Sequence, residues 1–134
     1  MTNYKIQNDF SIEELHQKLH SALEIFKVND EKIQTTKCLE LSLSAMDELT
    51  KPVHNVAAIF FNPVNFEIFE KIYGDDCNSG YITYKNSNEI MPSFMNIPIV
   101  IDDSIPKDEV YAISLTKSGN IGIAENISKL IIGK

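Results

Sequence analysis

The stretch Val56-Ala57-Ala58-Ile59-Phe60-Phe61-Asn62-Pro63 decides how this chain folds. Six consecutive apolar residues with β-branched and aromatic types and no polar alternation read as a strand covered on both faces. Asn62 then offers a side-chain oxygen suited to a helix N-cap, and Pro63 brings the preset φ of a first helical turn. Val64, Ile68 and Ile72, together with Phe69 and Tyr73, recur at helical spacing and are expected to share one helical face. Gly74 supplies the stop. A buried strand that runs straight into a helix requires other strands beside it and helices above it, so the neighbouring segments are read with that need in view.

Upstream, Ser11-Ile12-Glu13-Glu14 has the spacing of a capping box, in which the Ser11 hydroxyl accepts the Glu14 amide and the Glu14 carboxylate reaches back. Phe10 and Leu15 have hydrophobic-staple spacing around that cap. Ile12, Leu15, Leu19, Ala22 and Phe26 then follow in steps of three and four, which predicts a helix over about 11–28 that breaks at Asn29-Asp30. From about 31 to 50, Ile33, Leu39, Leu43 and Met46 form a stripe that Cys38, Leu41, Ala45 and Leu49 widen, and Pro52 ends it. This predicts a second helix and hence an N-terminal helical hairpin over about 11–50. Downstream, strands are expected at 81–85, Ile97–Ile101 and 109–115, with 102–108 as the connection between the last two. Thr116-Lys117-Ser118-Gly119-Asn120 reads as a turn into a short strand at 121–124, and the tail 127–132 is open between a strand and a helical turn. The expected class is α+β: a helical hairpin packed on a small mixed sheet with one further helix. The chain reads as a single domain over 1–134, with strand, helix and strands over about 56–124.

Composition limits function more than it reveals it. With 134 residues, 43% of them hydrophobic and 23% charged, the chain can bury about two-thirds of its unfolded surface and needs no staple. No apolar run approaches the ~20 residues of a bilayer span and no secretory leader opens the chain, so a cytoplasmic protein without a membrane partner is expected, with the virion as a second location. The net charge is −7, and all 12 basic residues are lysine. Without arginine, and with no cluster of lysines, nucleic-acid binding is not expected. Cys38 and Cys77 are too few for a disulfide framework and do not form a CxxC pair. Cys38 reads as a small buried apolar residue, and Cys77 sits beside Asp75 and Asp76, where thiolate is disfavoured.

Candidate sites are few. His16 and His20 stand four residues apart on the first helix, a spacing that can bring two imidazoles to one metal ion. The sequence between them lacks the glutamate of the HExxH pattern, and both lie toward the polar side of the helix, so they are read as solvated. Asp75, Asp76, Asn78 and Gly80 fail the calcium-loop register. Asp102-Asp103 and Asp108-Glu109 read as solvated turn charges, and His54 has no Ser or Cys at motif spacing. No P-loop, GxGxxG or GxSxG is present, and Gly119 and Gly122 lack the context of one. The expectation is no enzyme, no cofactor, no assigned metal, and no deep pocket gathering titratable groups.

One resemblance goes further. The strand 56–61, Asn62-Pro63, the aromatic Phe66, a helix closing at Ile72-Tyr73-Gly74, then Asp76, Gly80 and Tyr81, resemble the core of HK97-type phage major capsid proteins. Met95-Asn96-Ile97-Pro98-Ile99-Val100 is similar to that family's Gly-x-Pro-Val-Val segment, with Asn96 in place of the glycine, and Ser104-Ile105-Pro106 stands for the proline turn after it. The likeness spans about residues 38–123. It implies a non-enzymatic structural or assembly-associated protein of phage or prophage type, working through a protein partner or self-association. The acidic balance and small size also suit a second reading, a binding module such as an inhibitor of a host protein or an immunity-type protein.

Overall fold

The computed structural model describes residues 5–7, 11–26, 33–51, 56–74, 81–83, 90–95, 97–118 and 121–133. In chain order the elements are β1 (Lys5–Gln7), α1 (Ile12–Phe26), β2 (Ile33–Cys38), α2 (Leu43–Thr50), β3 (Val56–Phe61), α3 (Pro63–Tyr73), β4 (Tyr81–Thr83), β5 (Ile90–Met91), β6 (Ser93–Phe94), β7 (Ile97–Ile101), β8 (Glu109–Ser118) and β9 (Ile121–Ile132). The fold is α+β, as the sequence predicts. A six-stranded mixed sheet has the order β2-β9-β8-β3-β7-β6, and β1, β4 and β5 form a smaller sheet. β2 runs parallel to β9 and β3 runs parallel to β7, while β8 is antiparallel to both β3 and β9. The carboxyl ends of β2, β9, β3 and β7 therefore lie along one edge.

The continuous apolar run of β3 is explained by layers on both of its faces. Ala58 and Phe60 face α1 with Leu15, Leu19, Val100, Ile113 and Ile127. Ile59 and Phe61 face the opposite way, toward α2 and α3, with Met46, Leu49, Phe69, Ile99 and Leu130. Phe60 and Phe61 are each 0% exposed, and such a side chain contributes roughly 1.5–3 kcal/mol through burial. Alternation along β3 thus supplies two cores, and a strand with a polar face could not sit here.

Local signals hold where they were strongest. Glu14 N–H donates to Ser11 Oγ at 3.1 Å and Ser11 N–H to Glu14 Oε1 at 3.3 Å, which closes the capping box. Val64 N–H donates to Asn62 Oδ1 at 2.9 Å, Pro63 opens α3, and Gly74 ends it at φ +66°. At that φ a Cβ is strained, so glycine suits the C-cap. Phe66 packs half-buried on the core and Pro98 is buried in β7. Phe10, Pro52, His54, Cys77, Gly80 and Asn96 lie outside the described residues, as does Asn29-Asp30.

The helical hairpin is corrected. Residues 33–38 form a strand that pairs in parallel with β9, from Ile33 beside Ile127 to Cys38 beside Ile132. β-Branched Ile33, Thr35 and Thr36 favour this over a helix. The real helix starts at Ser42, whose hydroxyl accepts from Ala45 N–H at 3.1 Å, and Leu39, assigned to the stripe, is 79% exposed. α1 and α2 consequently lie on opposite faces of the sheet and do not form a hairpin. Thr116–Ser118 continue β8 rather than opening a turn, and 121–132 is one strand, which resolves the tail as β.

Candidate functional site

Asp102 follows β7 at the carboxyl edge of the parallel strands, the edge where open α/β sheets place ligands. Its placement is fixed from several sides. Asp102 N–H donates to the Phe61 carbonyl at 2.8 Å, extending the β3–β7 pairing by one residue. The connection beyond it is tied to α3: buried Asn62 donates through Nδ2 to the Ile105 carbonyl at 2.8 Å, and buried Asn65 Oδ1 accepts from Asp108 N–H at 2.9 Å. Asp108 adopts φ +68°, which aspartate tolerates. Within the connection, Asp102 Oδ1 accepts from both the backbone N–H and the hydroxyl of Ser104, at 2.9 and 2.7 Å.

The other carboxylate oxygen meets α1. His16 Nδ1 lies 2.9 Å and His20 Nε2 3.4 Å from Asp102 Oδ2. The two imidazoles, one helical turn apart, have centroids 4.5 Å apart. The Asp102 side chain is only 3% exposed, whereas those of His16 and His20 are 47% and 40% exposed. Burial pushes the Asp102 carboxyl upward, but the Ser104 hydrogen bonds, the His20 contact and the charge of His16 outweigh it, leaving its pKa below the usual value. The reading of Asp102 as a solvated turn charge is therefore corrected, while its neighbour Asp103 is exposed. Adjacent residues at the strand end do diverge, and this one turns inward under α1.

Ser104, His20 and Asp102 are the residue types of a hydrolytic triad, but their geometry is different. A relay needs serine and aspartate on opposite ring nitrogens. Here Ser104 Oγ, at 3.2 Å, and Asp102 Oδ2 both lie against Nε2 of His20, and the serine proton is directed to Asp102 Oδ1. This arrangement anchors a helix and gathers donor atoms, and it does not activate the hydroxyl.

Beside the cluster lies a cavity of about 500 Å³, bordered by His20, Glu24, Ile33, Ser104, Tyr111 and Lys129 among others. Titratable side chains do converge there, against the sequence expectation. Glu109 Oε1 accepts from the Tyr111 hydroxyl at 2.6 Å and pairs with Lys129 Nζ at 2.9 Å. Burial and then the Glu109 carboxylate push the Tyr111 phenol well above its ordinary pKa. Burial alone raises Glu109, but the bonds from Tyr111 and Lys129 prevail and hold it low. Neither Tyr111 nor Lys129 had a motif around it. Only the β8–β9 register, which sets Tyr111 beside Lys129, brings them together.

A second feature lies across the sheet. The face expected for α3 divides in two: Phe69 is buried and Tyr73 half-buried, whereas Val64, Ile68 and Ile72 are 47%, 43% and 40% exposed. These three, at i, i+4 and i+8, make an aliphatic row along the outside of the helix, and Leu43 on α2 is also exposed. The acidic residues Asp47, Glu48, Glu67 and Glu70 are exposed on these two helices, against Lys51 and Lys71. Among the described residues, no helix is long and apolar enough to cross a membrane. No family model, curated protein or solved structure matches the chain.

Proposed function

We propose that this chain is a non-enzymatic protein that works by docking the outer face of its α2–α3 layer on a partner protein. The observation that carries the reading is the aliphatic row Val64, Ile68 and Ile72, left outside a helix whose other side is already filled by Phe66, Phe69 and Tyr73. A contiguous exposed row of this kind suits an interface more than open solvent. The occupant is a surface with an apolar centre and a lysine- or arginine-rich rim, because four exposed carboxylates against two lysines on this layer oppose a symmetric pairing with a second copy. The setting implied by the capsid-core resemblance is phage or prophage structure or assembly. Its support is the sequence pattern alone, the apolar run 56–61 followed by Asn62-Pro63 and the aromatic Phe66. An inhibitor of a host protein or an immunity-type module uses the same acidic face.

The test compares the wild-type chain with the double variant Ile68→Ala/Ile72→Ala in capture experiments at low and high salt, with light scattering on the purified proteins. The expected result is a monomer that retains a basic protein at low salt and loses it both in the double variant and at high salt. Capture that survives the double variant, failure to retain any basic protein, or an oligomer that the double variant dissolves overturns the reading.

A further inference from the structure

We propose that His16, His20 and Asp102 form a binding site for a divalent transition-metal ion of the zinc class, independent of the docking face. Three donor atoms from two distant segments converge: one ring nitrogen each of His16 and His20 and an Asp102 oxygen all lie within 4.8 Å of one another. The donor separations suit an ion between them. Metal–ligand bonds of ~2.1 Å place neighbouring ligands about 3.4 Å apart in a tetrahedron and about 3.0 Å apart in an octahedron. The two imidazole nitrogens stand 2.9 and 3.4 Å from Asp102 Oδ2. Both rings are half-exposed on one helix, so their side-chain torsions are free to complete the coordination geometry.

The donor set also indicates the ion. Two imidazoles and one carboxylate are the ligands of zinc, nickel, cobalt or iron(II), whereas magnesium and calcium select oxygen. The carboxylate is oriented in advance. Ser104 donates twice to Oδ1 and leaves Oδ2 directed at the histidines, the outer-shell arrangement that orients a ligating carboxylate. Three protein ligands leave further positions for water, which reaches the ion past the half-exposed rings. A bound ion replaces the histidine–aspartate contacts with stronger bonds and ties α1 to the carboxyl edge of β7.

Isothermal titration of the chelator-treated full chain with Zn²⁺ alone provides the test, with His16→Gln and His20→Gln as variants. Glutamine keeps a hydrogen-bond donor for Asp102 but removes the imidazole, so the packing of α1 is retained. The expected result is one Zn²⁺ per chain and no displacement by excess Mg²⁺ or Ca²⁺. Each variant is expected to weaken binding by more than the ~10–100-fold seen on removing groups just outside a metal's ligand set. Co²⁺ is expected to give visible absorption bands that both variants abolish. No zinc binding in the wild type, binding that survives both glutamine variants, or displacement by Mg²⁺ overturns the proposal. None of these outcomes bears on docking by α3.

Discussion

Replacing Asp102 by alanine tests whether the carboxylate anchors α1 and the 102–108 connection as its contacts imply. Two hydrogen bonds from Ser104 are lost, at 2.9 and 2.7 Å, each worth about 1.5–3 kcal/mol with an ionised acceptor. The contacts from His16 and His20 add less, because both rings are nearly half exposed, and such pairs contribute about 0–1 kcal/mol each. Against this, alanine no longer has to bury a charge, which returns part of the loss. The net expectation is a destabilisation of about 2–3 kcal/mol at pH 7, read from urea unfolding of the metal-free proteins. The pH dependence has a definite sign. The folded-state pKa of Asp102 is lowered, so its contribution is complete above the unfolded value of about 3.9 and disappears as pH falls through the folded value. The gap between wild type and Asp102→Ala should therefore narrow as the solution is acidified below pH ~4. A gap under about 1 kcal/mol at pH 7, or one that widens toward acid, would refute the role given to this carboxylate.

Three further substitutions probe the frame around the site. Phe69 is 0% exposed and packs within 5.1–5.8 Å, ring to ring, of Phe61, Tyr73 and Phe94, so Phe69→Ala should cost about 3–5 kcal/mol in urea unfolding, whereas Val64→Ala on the outer row should cost under about 1 kcal/mol. Asn62→Asp keeps an N-cap acceptor for α3 but loses the Nδ2 donor to the Ile105 carbonyl. It should cost about 1–3 kcal/mol through the orphaned carbonyl and the buried charge, with hydrogen exchange at 103–105 rising before that of β3.

Signals confined to a few neighbouring residues were legible in the sequence. The Ser11–Glu14 box, the 56–61 strand, the Asn62-Pro63 start and the Gly74 stop each depend on chemistry within one turn or one strand. Segment 31–50 was misread because its strand half is defined by β9, nearly a hundred residues away. Periodicity found a stripe through Leu39 that the fold does not use, although Thr35-Thr36 and the Ser42 cap carried the local signal for strand and then helix. The α3 face failed for a different reason. Apolar spacing identifies residues that share a helix side, but this helix has apolar residues around more of its circumference than the core needs, and only burial separates Phe69 from Ile68. For the site, His16 and His20 were legible as a pair. Their third member lies 82 residues beyond His20 and becomes visible only when β7 ends under α1.

The sheet itself keeps the two proposals separable. β3 directs Phe60 toward the layer of α1 and Phe61 toward that of α3, so the histidine–aspartate cluster and the aliphatic row belong to opposite layers of the molecule. What they share is the 102–108 connection, which holds Asp102 at one end and is fastened to the inner side of α3 by Asn62 and Asn65. Substitutions at Ile68 and Ile72 touch neither that connection nor α1, and glutamine at His16 or His20 leaves α3 as it was. Each proposal can therefore fail alone. A variant at Asn62 or Asn65 disturbs both regions and cannot distinguish them. Were zinc to alter the affinity for a docked partner, linkage requires the partner to alter zinc affinity by the same factor. The 102–108 connection, with its buried asparagine bonds, is the described segment that touches both regions and so the place to look for such coupling.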